Sequence, residues 1–232
     1  MLRSPAIQGS PVSSIEPQPA SGGVLRFRGD GLDFELRLSE EGLEYGLSQP
    51  AGEREIWLLN RSLEIGPGER SYYAIPRRLG MLLYAEGDKP FTRRLRAYET
   101  GSGYSMAMLG VVRDGVALLA SWDDPYTEIV LEYTPSPPRL AVSLALGRSA
   151  RQVRLRPLGC GGYAEIAKTY REVARQRGFL KTLAEKLREN PKVERFFGAA
   201  DFKPFAYMRR VANTRWNKSG QDINDINITF QE

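Results

Sequence analysis

Trp122, Asp123 and Asp124 stand consecutively in the segment SWDDPY. A tryptophan beside two carboxylates could hold a sugar, with the indole stacked on the ring and the acids bonded to its hydroxyls. Paired carboxylates also perform glycoside hydrolysis, but a retaining pair must stand about 5 to 5.5 Å apart across the sugar, which adjacency in sequence does not establish. A D-D-P sequence more often makes a turn, in which Asp bonds nearby backbone and Pro fixes φ. Both readings stand at this point. A second cluster, Asn213, Arg215 and Trp216 in ANTRWN, follows an apolar run from Phe205 to Val211. Asn and Arg can bond hydroxyls or an acetamido carbonyl, and the indole offers a face to a pyranose; the alternative is an Arg and a Trp packed on the rest of the protein. Asp222 and Asp225, three residues apart in a turn-rich loop, read as solvated turn residues.

The chain has no histidine. Neither a Ser-His-Asp or Cys-His nucleophile nor an imidazole metal site can be assembled from it. The single cysteine, Cys160, cannot form an internal disulfide, and in LGCGGY it is expected to be a small packed residue with no base to activate it. No cofactor and no metal site is expected. Up to Ala150 there are 16 basic and 19 acidic residues, whereas from Arg151 onward there are 17 and 9. The basic C-terminal part carries its charge on the outer faces of predicted helices without interleaved aromatics, so no nucleic-acid partner is expected. No apolar run approaches the roughly 18 to 20 residues of a membrane span, and the first 23 residues lack the apolar stretch of a secretory signal.

These candidate residues need elements to position them. Residues 1–23, with four prolines among serines and glycines, read as a disordered leader. From 24 to 160 the period is two. Leu32, Phe34, Leu36 and Leu38 alternate with charged residues, and Leu43, Tyr45 and Leu47 continue after the SEEG turn, which gives a hairpin with one wet face. Strand-like runs follow at REIWLLN, MLLYAEG, FTRRLRAYE, YSMAMLGVV, VALLASW, YTEIVLEY, RLAVSLALG and RQVRLRPL. Asp114-Gly115 supplies the positive-φ pair of a tight hairpin. About ten strands joined by short turns predict an antiparallel sandwich.

At Gly161 the period becomes 3.6. Tyr163, Ile166, Ala167, Tyr170, Val173 and Ala174 form an apolar stripe, and Gly178 is placed to end the helix. Thr182 and Glu185 form a capping box, and Asn190-Pro191 starts a further short turn, so 161–203 reads as a helical connector. From 204 to 232 the order is strand, polar loop, helix start. A second capping box, Thr229 with Glu232, opens a helix at the last residues of the sequence. That order predicts the first unit of a truncated β/α barrel, where loops after the strands supply substrate contacts.

The stretch GVVRDGVALLASWDDPYTEIVLEY and the segment from Gly161 to Phe205, with its Y-x-E-x-A-K-x-Y-R helix, T-L-x-E-K helix and N-P-x-V-E-R-x-x-G connector, resemble glycoside hydrolases related to the α-N-acetylgalactosaminidases. The likeness covers the region that joins their N-terminal sandwich to their catalytic barrel. It implies a galactose-mutarotase-like supersandwich packed on a (β/α) barrel, and two carboxylates on later barrel strands that cleave an α-glycosidic bond with retention. Those carboxylates would lie outside this sequence. The resemblance therefore implies a non-catalytic portion of an enzyme whose carbohydrate substrate is held by the missing barrel, with Asn213, Arg215 and Trp216 at its rim. The alternative is a complete carbohydrate-binding or interaction module without enzymatic activity.

Overall fold

A computed structural model describes residues 5–7, 10–13, 15–18, 22–49, 54–77, 80–97, 103–147 and 152–197. The described residues form two units, Met1–Leu180 and Lys181–Glu232. The first is a sandwich of two antiparallel sheets. One sheet has six strands: β1 (Ala6–Ile7), β2 (Ser10–Pro11), β7 (Ile56–Ile65), β10 (Phe91–Leu95), β13 (Glu128–Pro135) and β14 (Pro138–Ala145), in the order β10-β13-β14-β7-β1-β2. The other has nine: β3 (Glu16–Gln18), β4 (Val24–Gly29), β5 (Leu32–Ser39), β6 (Gly42–Leu47), β8 (Tyr72–Ile75), β9 (Met81–Tyr84), β11 (Met108–Arg113), β12 (Val116–Trp122) and β15 (Gln152–Cys160). Its order is β3-β4-β5-β6-β15-β12-β11-β8-β9.

The predicted strands are present, and the alternation decides what each face does. In β12, Leu118, Ala120 and Trp122 enter the core shared with the other sheet, while Ala117 and Leu119 face outward. Phe34 and Tyr45 enter the same core from β5 and β6. The charged residues between them fill the outer surface of that hairpin, where Arg28 bonds Asp33 at 2.6 Å and Arg37 bonds Glu35 at 2.9 Å. This is the wet face expected from the sequence. Asp114 and Gly115, both at positive φ, close the β11–β12 hairpin.

Helix α1 (Tyr163–Gln176) covers the outer surface of β11 and β12 through Ile166 and Tyr170. Those two strands are therefore buried on both faces, which is why they read as nearly continuous apolar runs. At Gly110 a Cβ would stand 2.8 Å from Ile166, so glycine lets the helix lie directly on the strand. The helix begins at Gly162, which has no capping side chain, and the Tyr72 hydroxyl accepts from the Tyr163 amide at 3.2 Å instead. It ends in a Schellman arrangement. Gly178 lies at φ +72°, its amide donates to Arg175 O at 3.0 Å, and the Phe179 amide donates to Ala174 O at 2.9 Å.

The leader and Cys160 differ from expectation. The leader 1–23 contains β1, β2 and β3. Ala6 pairs with Trp57, and Val12 is buried in the core against Gly29. Prolines survive there because an edge strand can spare a backbone donor, so Pro11 and Pro17 sit on sheet edges. Strand β8 was not anticipated. Cys160 is exposed at the end of β15, opposite Val116, and is not packed.

In the second unit, α2 (Leu183–Glu189) starts with the predicted capping box, in which the Glu185 amide donates to Thr182 Oγ1 at 3.2 Å and the Thr182 amide to Glu185 Oε2 at 2.6 Å. Asn190 then caps a 3-10 turn, Pro191–Phe196, by accepting from the Lys192 amide at 3.1 Å. The predicted barrel start, 204–232, lies outside the described residues. The 161–203 connector is divided instead: α1 belongs with the sandwich, because its apolar stripe needs the sheet to cover it.

Candidate functional site

Where the last turn of α1 overhangs the nine-stranded sheet, a groove of about 560 Å³ opens between the helix, β15 and the start of β6. Sheet register sets its floor: Arg154 of β15 stands between Glu44 of β6 and Ser121 of β12. Arg154 Nε donates to Glu44 Oε1 at 3.0 Å, and its Nη1 donates to both oxygens of Asp123, each at 3.0 Å. Asp123 also faces Arg177, whose Nη2 lies 2.6 Å from Oδ1 and whose Nη1 donates to Trp122 O at 2.9 Å. Two residues along β15, Arg156 donates to the Glu41 carboxylate at 2.6 Å and to its carbonyl at 3.2 Å. Burial works to lower the Arg154 pKa, but the hydrogen bond to Glu44 and the charge of Asp123 outweigh it and hold the guanidinium above its ordinary value.

The three consecutive candidates of SWDDPY part company. Trp122 is 0% exposed; it meets Tyr104 edge to face at 5.7 Å and donates its indole N–H to the Tyr104 hydroxyl at 3.3 Å. It has no surface for a sugar, contrary to the stacking reading. Asp124 is 4% exposed and acts within the turn, accepting from the Tyr126 amide at 3.0 Å and the Thr127 hydroxyl at 2.9 Å. The Thr127 oxygen in turn accepts from the Gly147 amide at 3.2 Å. Only Asp123, with 53% of its side chain exposed, faces the groove. Asn213, Arg215 and Trp216 lie outside the described residues, as do Asp222 and Asp225.

Sequence reasoning missed Arg154, Arg177 and Ser121. For Arg154 a signal existed: in QVRLRPL the arginines alternate with core residues, which puts both on the outer face. What the groove can do chemically follows from its pairs. A general acid for glycoside cleavage is a carboxyl kept protonated by apolar surroundings. Asp123, Glu41 and Glu44 each face a guanidinium instead. The arrangement can hydrogen-bond a ligand through side chains that already hold one another in place.

No protein-family model and no curated protein matches the chain. Solved structures do. The α-N-acetylgalactosaminidase NagBb from Bifidobacterium bifidum, in its GalNAc complex, superposes with a TM-score of 0.62 at 18% identity, over 82% of this chain and 36% of that one. The fold is glycoside-hydrolase-like. The same enzyme with Gal-NHAc-DNJ gives 0.62 at 19% identity, and without ligand 0.53 at 19%. The chain thus spans little more than a third of the enzyme that it resembles, and at this identity the likeness is one of architecture.

Proposed function

We propose that this chain supplies the non-catalytic sandwich of a glycoside hydrolase acting on α-linked sugars, with catalysis carried by a barrel that the described residues do not include. One observation carries the reading: 82% of the chain superposes on part of a solved enzyme named as an α-N-acetylgalactosaminidase. The groove chemistry is in keeping with it, because its carboxylates are taken up by arginines. In this reading Asn213, Arg215 and Trp216 contact the sugar at the barrel's substrate-binding end.

The test is an assay of the purified 232-residue chain against aryl α- and β-glycosides. No turnover is expected. Turnover that disappears in Asp123→Asn or Glu44→Gln would place the catalytic acids in the sandwich itself and overturn the proposal.

A further inference from the structure

We infer that the groove beneath the end of α1 is a subsite for a neutral saccharide, an inference that rests on the carbohydrate reading above. The charge of the groove selects the ligand class. Arg154, Arg156 and Arg177 face Asp123, Glu41 and Glu44, so the site has no net charge to offer. An anion would have to displace a carboxylate from its arginine, and a cation an arginine from its carboxylate. A polyol needs neither: one hydroxyl can accept from a guanidinium and donate to the carboxylate beside it. Arg154 keeps its Nη2 without a hydrogen-bond partner among the described residues, next to an Asp123 carboxylate that is already fixed in place.

A second observation comes from the floor. Ser121 is 3% exposed and lines the groove, and its hydroxyl has no hydrogen-bond partner among the described residues. That hydroxyl is open to the groove and not sealed from it, so an occupant can bond it in place of solvent. At the rim Phe179, 73% exposed, offers an aromatic face of the kind that packs on the C–H side of a pyranose. The volume lies within the roughly 300 to 1,000 Å³ of small-molecule sites, and a lining that mixes charged side chains with Leu43, Leu119 and Phe179 matches a sugar, which has hydroxyls at its edge and an apolar C–H face. These groups are also held in place, since Arg154 and Arg177 are each anchored at two points before any ligand arrives.

The experiment is a titration of the isotopically labelled 232-residue chain, followed by amide chemical shifts, with N-acetylgalactosamine, galactose and glucose as neutral probes and sodium phosphate and spermidine as charged ones. Saturable shifts with at least one sugar are expected, confined to β12, β15, the start of β6 and the last turn of α1. Phe179→Ala and Ser121→Ala should each weaken that binding about three- to tenfold, the value of one lost contact. Should Ser121→Ala fail to fold, Phe179→Ala, at an exposed position, decides alone. Saturation by phosphate or spermidine in preference to every sugar overturns the inference. So does sugar binding that maps elsewhere or that neither variant weakens, or no binding of any of the three sugars. A chain that binds no sugar in the groove and is inert as an enzyme loses this inference and keeps the scaffold reading. One that hydrolyses glycosides by itself loses the scaffold reading whatever the groove does.

Discussion

Adjacent aspartates carry unequal weight. Asp123 is a half-exposed partner of two arginines, and exposed ion pairs contribute little, so Asp123→Asn is expected to change stability by no more than about 1 kcal/mol. Asp124 is buried and accepts from the Tyr126 amide and from the fully buried Thr127 hydroxyl. Asp124→Ala should cost about 1–3 kcal/mol, because it strips the buried Thr127 hydroxyl of its acceptor. Urea unfolding of the two variants checks the order, and equal effects would mean that the turn between β12 and β13 does not depend on its carboxylate. Trp122 ends β12 with its ring in the core, whereas Asp123, the next residue, opens the turn on the groove side, so the two never act on one ligand.

The contact between α1 and the sheet depends on the absence of a side chain. With Ile166 so close to Gly110, Gly110→Val should force the helix off β11 at a cost of about 1–3 kcal/mol or more. Amide exchange should then rise across 163–176 while β13 and β14, in the far sheet, keep their protection; loss of protection in both would mean that helix and sandwich form one cooperative unit. The charged ladder on β4 and β5 makes a different prediction. The hydrogen bond from Arg28 holds the Asp33 carboxyl below its ordinary 3.8, and that from Arg37, with help from Arg26, holds Glu35 below 4.5. A carboxylate depressed in the folded state stabilises fully above its unfolded pKa and loses that contribution as pH falls through the folded value. Urea midpoints should therefore stay level from about pH 7 to 5 and fall below about pH 4. Arg28→Ala combined with Arg37→Ala should shallow that acid limb.

At the scale of the whole molecule, one core joins both sheets: Leu58, Leu144 and Ile129 come from the six-stranded sheet, and Phe34, Leu109 and Trp122 from the nine-stranded. Truncating a shared member should therefore be felt everywhere. Leu144→Ala is expected to cost about 2–5 kcal/mol and to lower the unfolding midpoint seen by tryptophan fluorescence and by far-ultraviolet dichroism equally. Separate midpoints by the two probes would show that the sheets unfold independently.

What the sequence determined by itself is local. The two-residue period from 24 to 160, the Asp114-Gly115 hairpin, the capping box at Thr182 and the glycine stop at Gly178 each depend on residues within one turn or one hairpin, and each is legible because backbone sterics act at short range. Only the tertiary structure decided which strands meet. Glu44 and Arg154 are brought together from 110 residues apart, and the groove exists because of that pairing. Tertiary packing also recruited Pro11 and Pro17 to sheet edges, where composition had suggested disorder, and turned Trp122 inward. An alternating pattern shows that a strand has two faces, but which of them is covered depends on a second sheet and a helix that no local signal identifies.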